Sequence, residues 1–227
     1  MMKLPSLTAT PNHRETLLGL LWLAISLAVL PRLAQILPLT PGKQNLVMSG
    51  VNLLAIICIF FSFLKENGKI ALKKPLPVLF WAGAAYLLYL GLTQLVTALI
   101  FNLYPEFENL NDQNIRTMLE QDLCPLAISA VLLVPITEEV LYRGLLFSKL
   151  HERYPVLSYF VSMFAFSAIH LLGYGDSLSP MALVLSFLQY LPAGFCLIFC
   201  YRLTGTVFAP ILMHLLVNFT GIYHFVR

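Results

Sequence analysis

The chain has 227 residues, of which 59% are hydrophobic and 11% charged, and a mean hydropathy of +0.80; a soluble domain carries about 25% charged residues. These figures exclude a soluble globular protein. The net charge of +3 is no sign of nucleic acid, because the basic residues fall in short loops where they set membrane orientation.

The expected class is an all-α polytopic membrane protein: a bundle of about seven transmembrane helices (six to eight), in a single membrane domain over residues 1–227. After a polar start holding Lys3 and Arg14, a first apolar span covers about Thr16 to Leu37 and contains Pro31 and Arg32. It lacks a clear small-x-small cleavage site and reads as a transmembrane helix rather than a signal peptide. A second span runs from about Asn45 to Leu64, followed by the most basic loop of the chain, Lys65 through Pro75. The third covers Pro77 to Leu103, where Thr93, Gln94 and Thr97 suit hydrogen bonds between helices. Tyr104 to Asp122 is polar and acidic; Asn111 or Asp112 caps a short helix with Ile115, Met118 and Leu119 on one side, a connector or a shield over an entrance. Later spans are expected over Leu123 to Leu150, Tyr154 to Leu172, Pro180 to Tyr201 (broken at Pro192 and Gly194) and Gly205 to Val226, with a turn at Gly173 to Ser177. Cys58, Cys124, Cys196 and Cys200 all lie in apolar runs without metal-binding spacing and read as small buried hydrophobes. With the N-terminus cytoplasmic, nine basic residues fall in inner loops and four outside, as the positive-inside rule prefers.

The fourth span carries Glu138, Glu139 and Arg143 in Val134-Pro135-Ile136-Thr137-Glu138-Glu139-Val140-Leu141-Tyr142-Arg143. Three ionisable groups at a helix centre cost about 7 to 10 kcal/mol on insertion scales, so the segment needs partners, and its charges mark a functional site. Glu139 and Arg143 stand at i, i+4 with the acid first, the better orientation for a structural ion pair. Glu138 points about 100° away and is the carboxylate left for general-base chemistry. Pro135, without an N–H, is expected to free the carbonyl of Val131 and kink the helix beside the pair. Phe166 and His170 are four apart, as are His214 and Asn218, so each pair shares a helix face. At about 1.5 Å per residue Glu138 and His214 both lie near mid-membrane, with His170 roughly 8 Å higher unless its helix starts after Pro155 or tilts.

Glu-Glu-x-x-x-Arg at Glu138 to Arg143, Phe-x-x-x-His at Phe166 to His170 and His-x-x-x-Asn at His214 to Asn218, in that order on separate apolar helices, resemble the CAAX protease and bacteriocin-processing (CPBP, or Abi) intramembrane endopeptidases, which include the Ras-converting CAAX prenyl endopeptidase. The resemblance covers residues 122–221, the expected catalytic core, and implies peptide-bond hydrolysis within the membrane. It implies that Glu138 and His170 activate a water and that His214 and Asn218 stabilise the oxyanion. The substrate expected is a hydrophobic or lipid-modified peptide, CAAX-like or a bacteriocin or peptide precursor. A metal-independent mechanism is favoured over zinc held by Glu138, His170 and His214, because the His-Glu-x-x-His signature is absent and Asn218 suits an oxyanion role. The competing class is non-enzymatic: a transporter, scaffold or immunity adaptor whose buried charges tie helices together.

Overall fold

A computed structural model describes residues 7, 9–172 and 179–227, and among them every regular element is helical. The expected turn at residues 173–177 lies outside the described residues. The first span is two helices, α1 (His13–Ala28) and α2 (Leu30–Ile36), because Pro31 sits in the first turn of α2 and interrupts the ladder. Asn12 and Glu15 form a reciprocal capping box at the start of α1. Helix α3 (Pro41–Ile59) pairs with α1 through Trp22 Nε1, which donates to Asn52 Oδ1 at 2.7 Å.

Residues 65–73, expected as a loop, belong to a helix, α4 (Phe61–Lys73). The reason is amphipathicity: Phe63 and Asn67, one turn apart, are buried, while Lys65, Lys69 and Lys73 are exposed. Helix α5 (Pro75–Leu103) follows directly.

Helix α6 (Leu110–Ala127) is capped by Asn109, whose side chain accepts from the backbone N–H groups of Asn111 and Asp112, so the cap lies two or three residues before the expected one. It does not stop before the Glu-Glu segment. The chain bends at Asp122 (φ −144°, ψ 61°) and continues through a wide π-helical segment (Ile128–Leu133), α7 (Val134–Glu139), a second π segment (Val140–Phe147) and α8 (Ser148–His151). Helix α9 (Pro155–Ile169), α10 (Pro180–Thr204) and α11 (Phe208–Val226) complete the bundle. Pro192 does not break α10, which runs for 25 residues with that proline buried inside it.

Among the described residues six helical stretches are long and apolar enough to cross a membrane: His13–Ile36, Pro41–Ile59, Pro75–Leu103, Leu110–His151, Pro180–Thr204 and Phe208–Val226; Pro155–Ile169 is apolar but shorter. The protein is an integral multi-pass membrane protein. The outward faces are apolar, with Leu21, Leu54, Phe80, Leu87 and Leu95 all exposed, as lipid contact requires. Cys58 and Cys124 lie on such exposed surface rather than in the core, whereas Cys196 and Cys200 are buried as expected.

Among the described residues two large apolar clusters and a smaller one of Ile100, Phe107 and Leu185 hold the helices together. One large cluster joins Phe60, Phe63, Leu145, Phe147, Tyr201 and Ile211 near α4; the other joins Ala85, Tyr142, Phe166, Ala193, Cys196 and Met213. The second large cluster supports the site.

Candidate active site

The two π segments set the geometry of the Glu-Glu helix. A π turn bonds i to i+5 and is common where a helix carries function. In the first segment Val134 N–H reaches Ser129 O in that register. The next carbonyl, that of Ala130, would then need the N–H that Pro135 lacks. Asn218 Nδ2 supplies the donor instead, at 2.7 Å from Ala130 O. The orphan carbonyl is therefore Ala130, one residue before the expected Val131, because the wide turn shifts the register. Asn218 keeps its second N–H and its Oδ1 for the cavity it lines. Hydroxyls steady the rest of the widened helix: Ser162 Oγ donates to Tyr142 O at 2.9 Å, and Ser148 Oγ to Gly144 O.

Glu139 and Arg143 form the expected ion pair, with Arg143 Nη1 2.8 Å from Glu139 Oε1 and both side chains wholly buried. Arg143 Nη2 also donates to Gly194 O at 3.3 Å, and its guanidinium lies 4.4 Å above the Phe166 ring. That contact needs glycine at 194: a Cβ there would meet Met163 Cγ at 3.0 Å and Met163 O at 3.2 Å.

Glu139 has a second partner that i, i+4 spacing does not reveal. His214 Nδ1 lies 2.9 Å from its Oε1. An oxygen that already accepts from Arg143 is an acceptor for the ring, so Nδ1–H donates and Nε2 turns the other way. Nε2 lies 3.9 Å from Glu138 Oε2. Glu139 is thus both half of an ion pair and the group that orients His214.

Glu138 is different. Its side chain is 19% exposed, and its buried Oε2 makes no hydrogen bond. The carboxylate borders a cavity of about 540 Å³ that His170, His214 and Asn218 also line. All four predicted site residues therefore meet at one cavity. His170 is brought to it because α9 starts at Pro155 and stops at Ile169, which places the histidine in the turn beyond a short helix. His170 Nδ1 is 2.8 Å from Phe166 O; a carbonyl only accepts, so Nδ1–H donates and Nε2 is the free nitrogen.

Phe166 is the hub that sequence spacing left without a role. Its carbonyl holds His170, and its ring packs edge-on against His214 (5.6 Å) and Tyr142 (5.8 Å) beneath the Arg143 guanidinium. The Phe-x-x-x-His spacing was the only signal of it. Tyr190 carried no signal at all, yet its ring stacks on His170 with centroids 4.2 Å apart and planes at 20°. Ile115 and Met118 of α6 face the same cavity, so the polar stretch before the Glu-Glu helix serves as a wall and not only as a connector. Thr93 and Thr97 also face this space, and Gln94 is exposed. Among the described residues, no three His, Cys, Asp or Glu side chains converge at metal-ligand spacing.

The family model for type II CAAX prenyl endopeptidase Rce1-like proteins matches residues 120–220. No curated protein and no solved structure matches the chain. The matched span contains the Glu-Glu-x-x-x-Arg, Phe-x-x-x-His and His-x-x-x-Asn motifs, and over those residues the chain is similar to the CAAX-type intramembrane proteases.

Proposed function

We propose that this chain is an endopeptidase that cleaves a hydrophobic or lipid-modified peptide inside the membrane with a water activated by Glu138 and His170. One observation carries the reading: Glu138, whose buried Oε2 makes no hydrogen bond, lines a cavity shared with both histidines and Asn218. Glu139 finds its partners within the protein, its Oε1 holding both Arg143 and His214, whereas Glu138 lines the cavity. The non-enzymatic reading accounts for Glu139 and Arg143 but leaves Glu138 without a purpose.

In the proposed reaction a water donates one hydrogen bond to Glu138 and the other to His170 Nε2, which aims its lone pair at the scissile carbonyl carbon. As the C–O bond forms, Glu138 takes the proton. The carbonyl oxygen becomes an oxyanion between Asn218 Nδ2–H and His214 Nε2–H, with His214 carrying a proton on each ring nitrogen and anchored through Nδ1 by Glu139. The C–N bond then breaks, and the proton held on Glu138 passes to the leaving amine. Burial of the site keeps bulk water from competing with these donors.

The mechanism proposed is metal-independent. Asn218 and His214 form a donor pair suited to an oxyanion, and the carboxylate and imidazoles are not gathered at ligand spacing. Activity should survive chelation, and metal analysis of active protein should find well under one zinc per chain; loss on chelation with zinc rescue would replace this mechanism by a zinc one.

The N-terminus is proposed to be cytoplasmic, since α4 with its lysines, Lys149 and Arg202 lie at the opposite end of the bundle from Asn109 and Tyr190. The substrate is proposed to enter at the α6 end, where Ile115, Met118, Ile222 and Phe225 offer an apolar wall. The test is cleavage of an internally quenched, prenylated peptide with a CAAX-type end in proteoliposomes, together with peptide-terminus profiling of membranes carrying wild type or Glu138→Gln. Identical termini in both membranes and equal cleavage of the probe would refute the protease reading.

A further inference from the structure

The cavity has a roof, and the roof is attached to a catalytic group. Tyr190 of α10 lies flat on the His170 ring, 4.2 Å between centroids. Its hydroxyl is held from the other side: Asn111 Nδ2 donates to it at 2.9 Å, and Asn109 Oδ1 and Asp112 Oδ1 lie 3.5 and 3.4 Å away as acceptors. The neighbouring Gln189 accepts from Asn109 Nδ2 at 2.7 Å. A ring with two torsions, stacked at one end and hydrogen-bonded at the other, has little freedom left.

The groups holding that hydroxyl belong to the first turn of α6 and its cap. Ile115 and Met118, one and two turns further along, line the cavity, and beyond them the helix bends at Asp122. The bend itself is wedged: Gly42 of α3 packs so closely that a Cβ there would lie 2.4 Å from Asp122 Cβ. Between that wedge and the Asn111–Tyr190 contact, α6 spans the cavity as a beam supported at both ends. His170, by contrast, has a single hydrogen bond of its own, from Nδ1 to Phe166 O, and the Phe166 ring meets it at a tilt of 60° with centroids 5.0 Å apart, so the near-parallel cover over its face is that of Tyr190.

We propose that Tyr190 is the positioning residue of His170 and that α6, through Asn111, sets the angle at which Tyr190 holds it. A substrate chain lying along Ile115 and Met118 then presses on the same beam that aims the catalytic imidazole, so filling the α6 wall and aligning His170 are coupled. The inference rests on the role proposed for His170. It assigns Tyr190 no contact with the reacting atoms.

The experiment compares Tyr190→Leu, Tyr190→Phe, Asn111→Ala, the Tyr190→Phe/Asn111→Ala double variant and Glu138→Gln, using the quenched prenylated peptide in proteoliposomes and recording kcat, KM and melting temperature. Tyr190→Leu removes the stack and should lower kcat at least about tenfold with KM within about twofold, since a misplacement of about 1 Å can cost about 100-fold. Tyr190→Phe keeps the stack and should recover most of that loss, remaining about two- to fourfold below wild type because the ring is no longer tied to α6. Asn111→Ala removes the 2.9 Å donor but leaves the longer contacts to Asn109 and Asp112, so its loss should be no larger than that of Tyr190→Phe, and the double variant should be no worse than Tyr190→Phe alone.

The proposal is overturned if Tyr190→Leu folds and keeps more than half of kcat, if its loss appears only in KM, or if Tyr190→Phe and Asn111→Ala multiply. Should Tyr190→Leu fail to fold, the Tyr190→Phe/Asn111→Ala cycle decides alone. A fully active Glu138→Gln would instead remove the hydrolytic reading itself, an outcome distinct from a dead Glu138→Gln beside an active Tyr190→Leu.

Discussion

Two polar clusters lie inside this apolar bundle, one at each end of the Glu-Glu helix region, and they are built on opposite terms. Near α4, Asn67 donates to the carbonyls of Ala9 (3.4 Å) and Phe63 (3.0 Å), accepts from Val207 N–H at 2.9 Å, and offers its own carbonyl to Thr206 Oγ1 at 2.9 Å. Glu15 beside it accepts from the backbone N–H groups of Asn12 and Phe63, both at 2.9 Å. These valences are spent within the protein, and the cluster serves to lock the N-terminal segment, α4 and the α10–α11 turn together. At the cavity, Glu139 Oε1 joins Arg143 and His214, but Glu138 Oε2, Glu139 Oε2, Arg143 Nε, the Nε2 atoms of both histidines and half of the Asn218 amide are left over. Burial alone does not separate structure from chemistry here. The separation lies in whether the remaining donors and acceptors point at protein or at an open space.

That contrast can be broken at several points. The largest effect is expected from Glu138→Gln: loss of a general base lowers cleavage of the prenylated probe about 10² to 10⁴-fold, with membrane abundance and melting temperature near wild type. A fall in abundance instead would move Glu138 into the structural class. Glu139→Ala should do the reverse, leaving Arg143 buried without its counter-ion at a cost of about 3 to 5 kcal/mol; abundance and thermal stability should collapse, and the surviving protein should be slow because His214 has lost its anchor. Asn218→Ala removes an oxyanion donor and should lower kcat about 10²-fold, together with a stability loss of about 1 to 3 kcal/mol from the uncapped Ala130 carbonyl. The smallest effect belongs to the other cluster: Asn67→Ala strands the Val207 N–H and should cost about 1 to 3 kcal/mol of stability, while kcat per folded molecule, measured after active-fraction correction, stays at the wild-type level. A catalytic defect in folded Asn67→Ala would show that the two clusters are coupled.

The candidate site was legible in the sequence to an uneven degree. Spacing alone paired Glu139 with Arg143, and that pair is present at 2.8 Å. It also put Phe166 on the face of His170 and His214 on the face of Asn218, and those four residues face one cavity region. What spacing could not express was the second use of Glu139, on His214, because the two are 75 residues apart. The same limit hid Tyr190, Gly194 O and the Asn109–Gln189 contact. The reading of residues 65–73 as a loop failed for another reason: a run of lysines obscured the buried side chains Phe63 and Asn67, which set the helical face of α4. The expected break at Pro192 failed because neighbouring helices can support a proline inside a membrane span.

By itself, the sequence determined that the chain lives in lipid, roughly where its spans run, and which side chains share a helix face. Those are local consequences of apolar length and of 3.6 residues per turn, enforced by the need to satisfy every backbone group within the segment. Tertiary structure alone decided the π register that moved the orphan carbonyl to Ala130, the orientation of both imidazoles, and the clamp of Tyr190 between His170 and α6. Each of these depends on a partner from another helix supplying a donor, an acceptor or a ring at a distance of a few ångströms, and no pattern within one helix encodes that meeting.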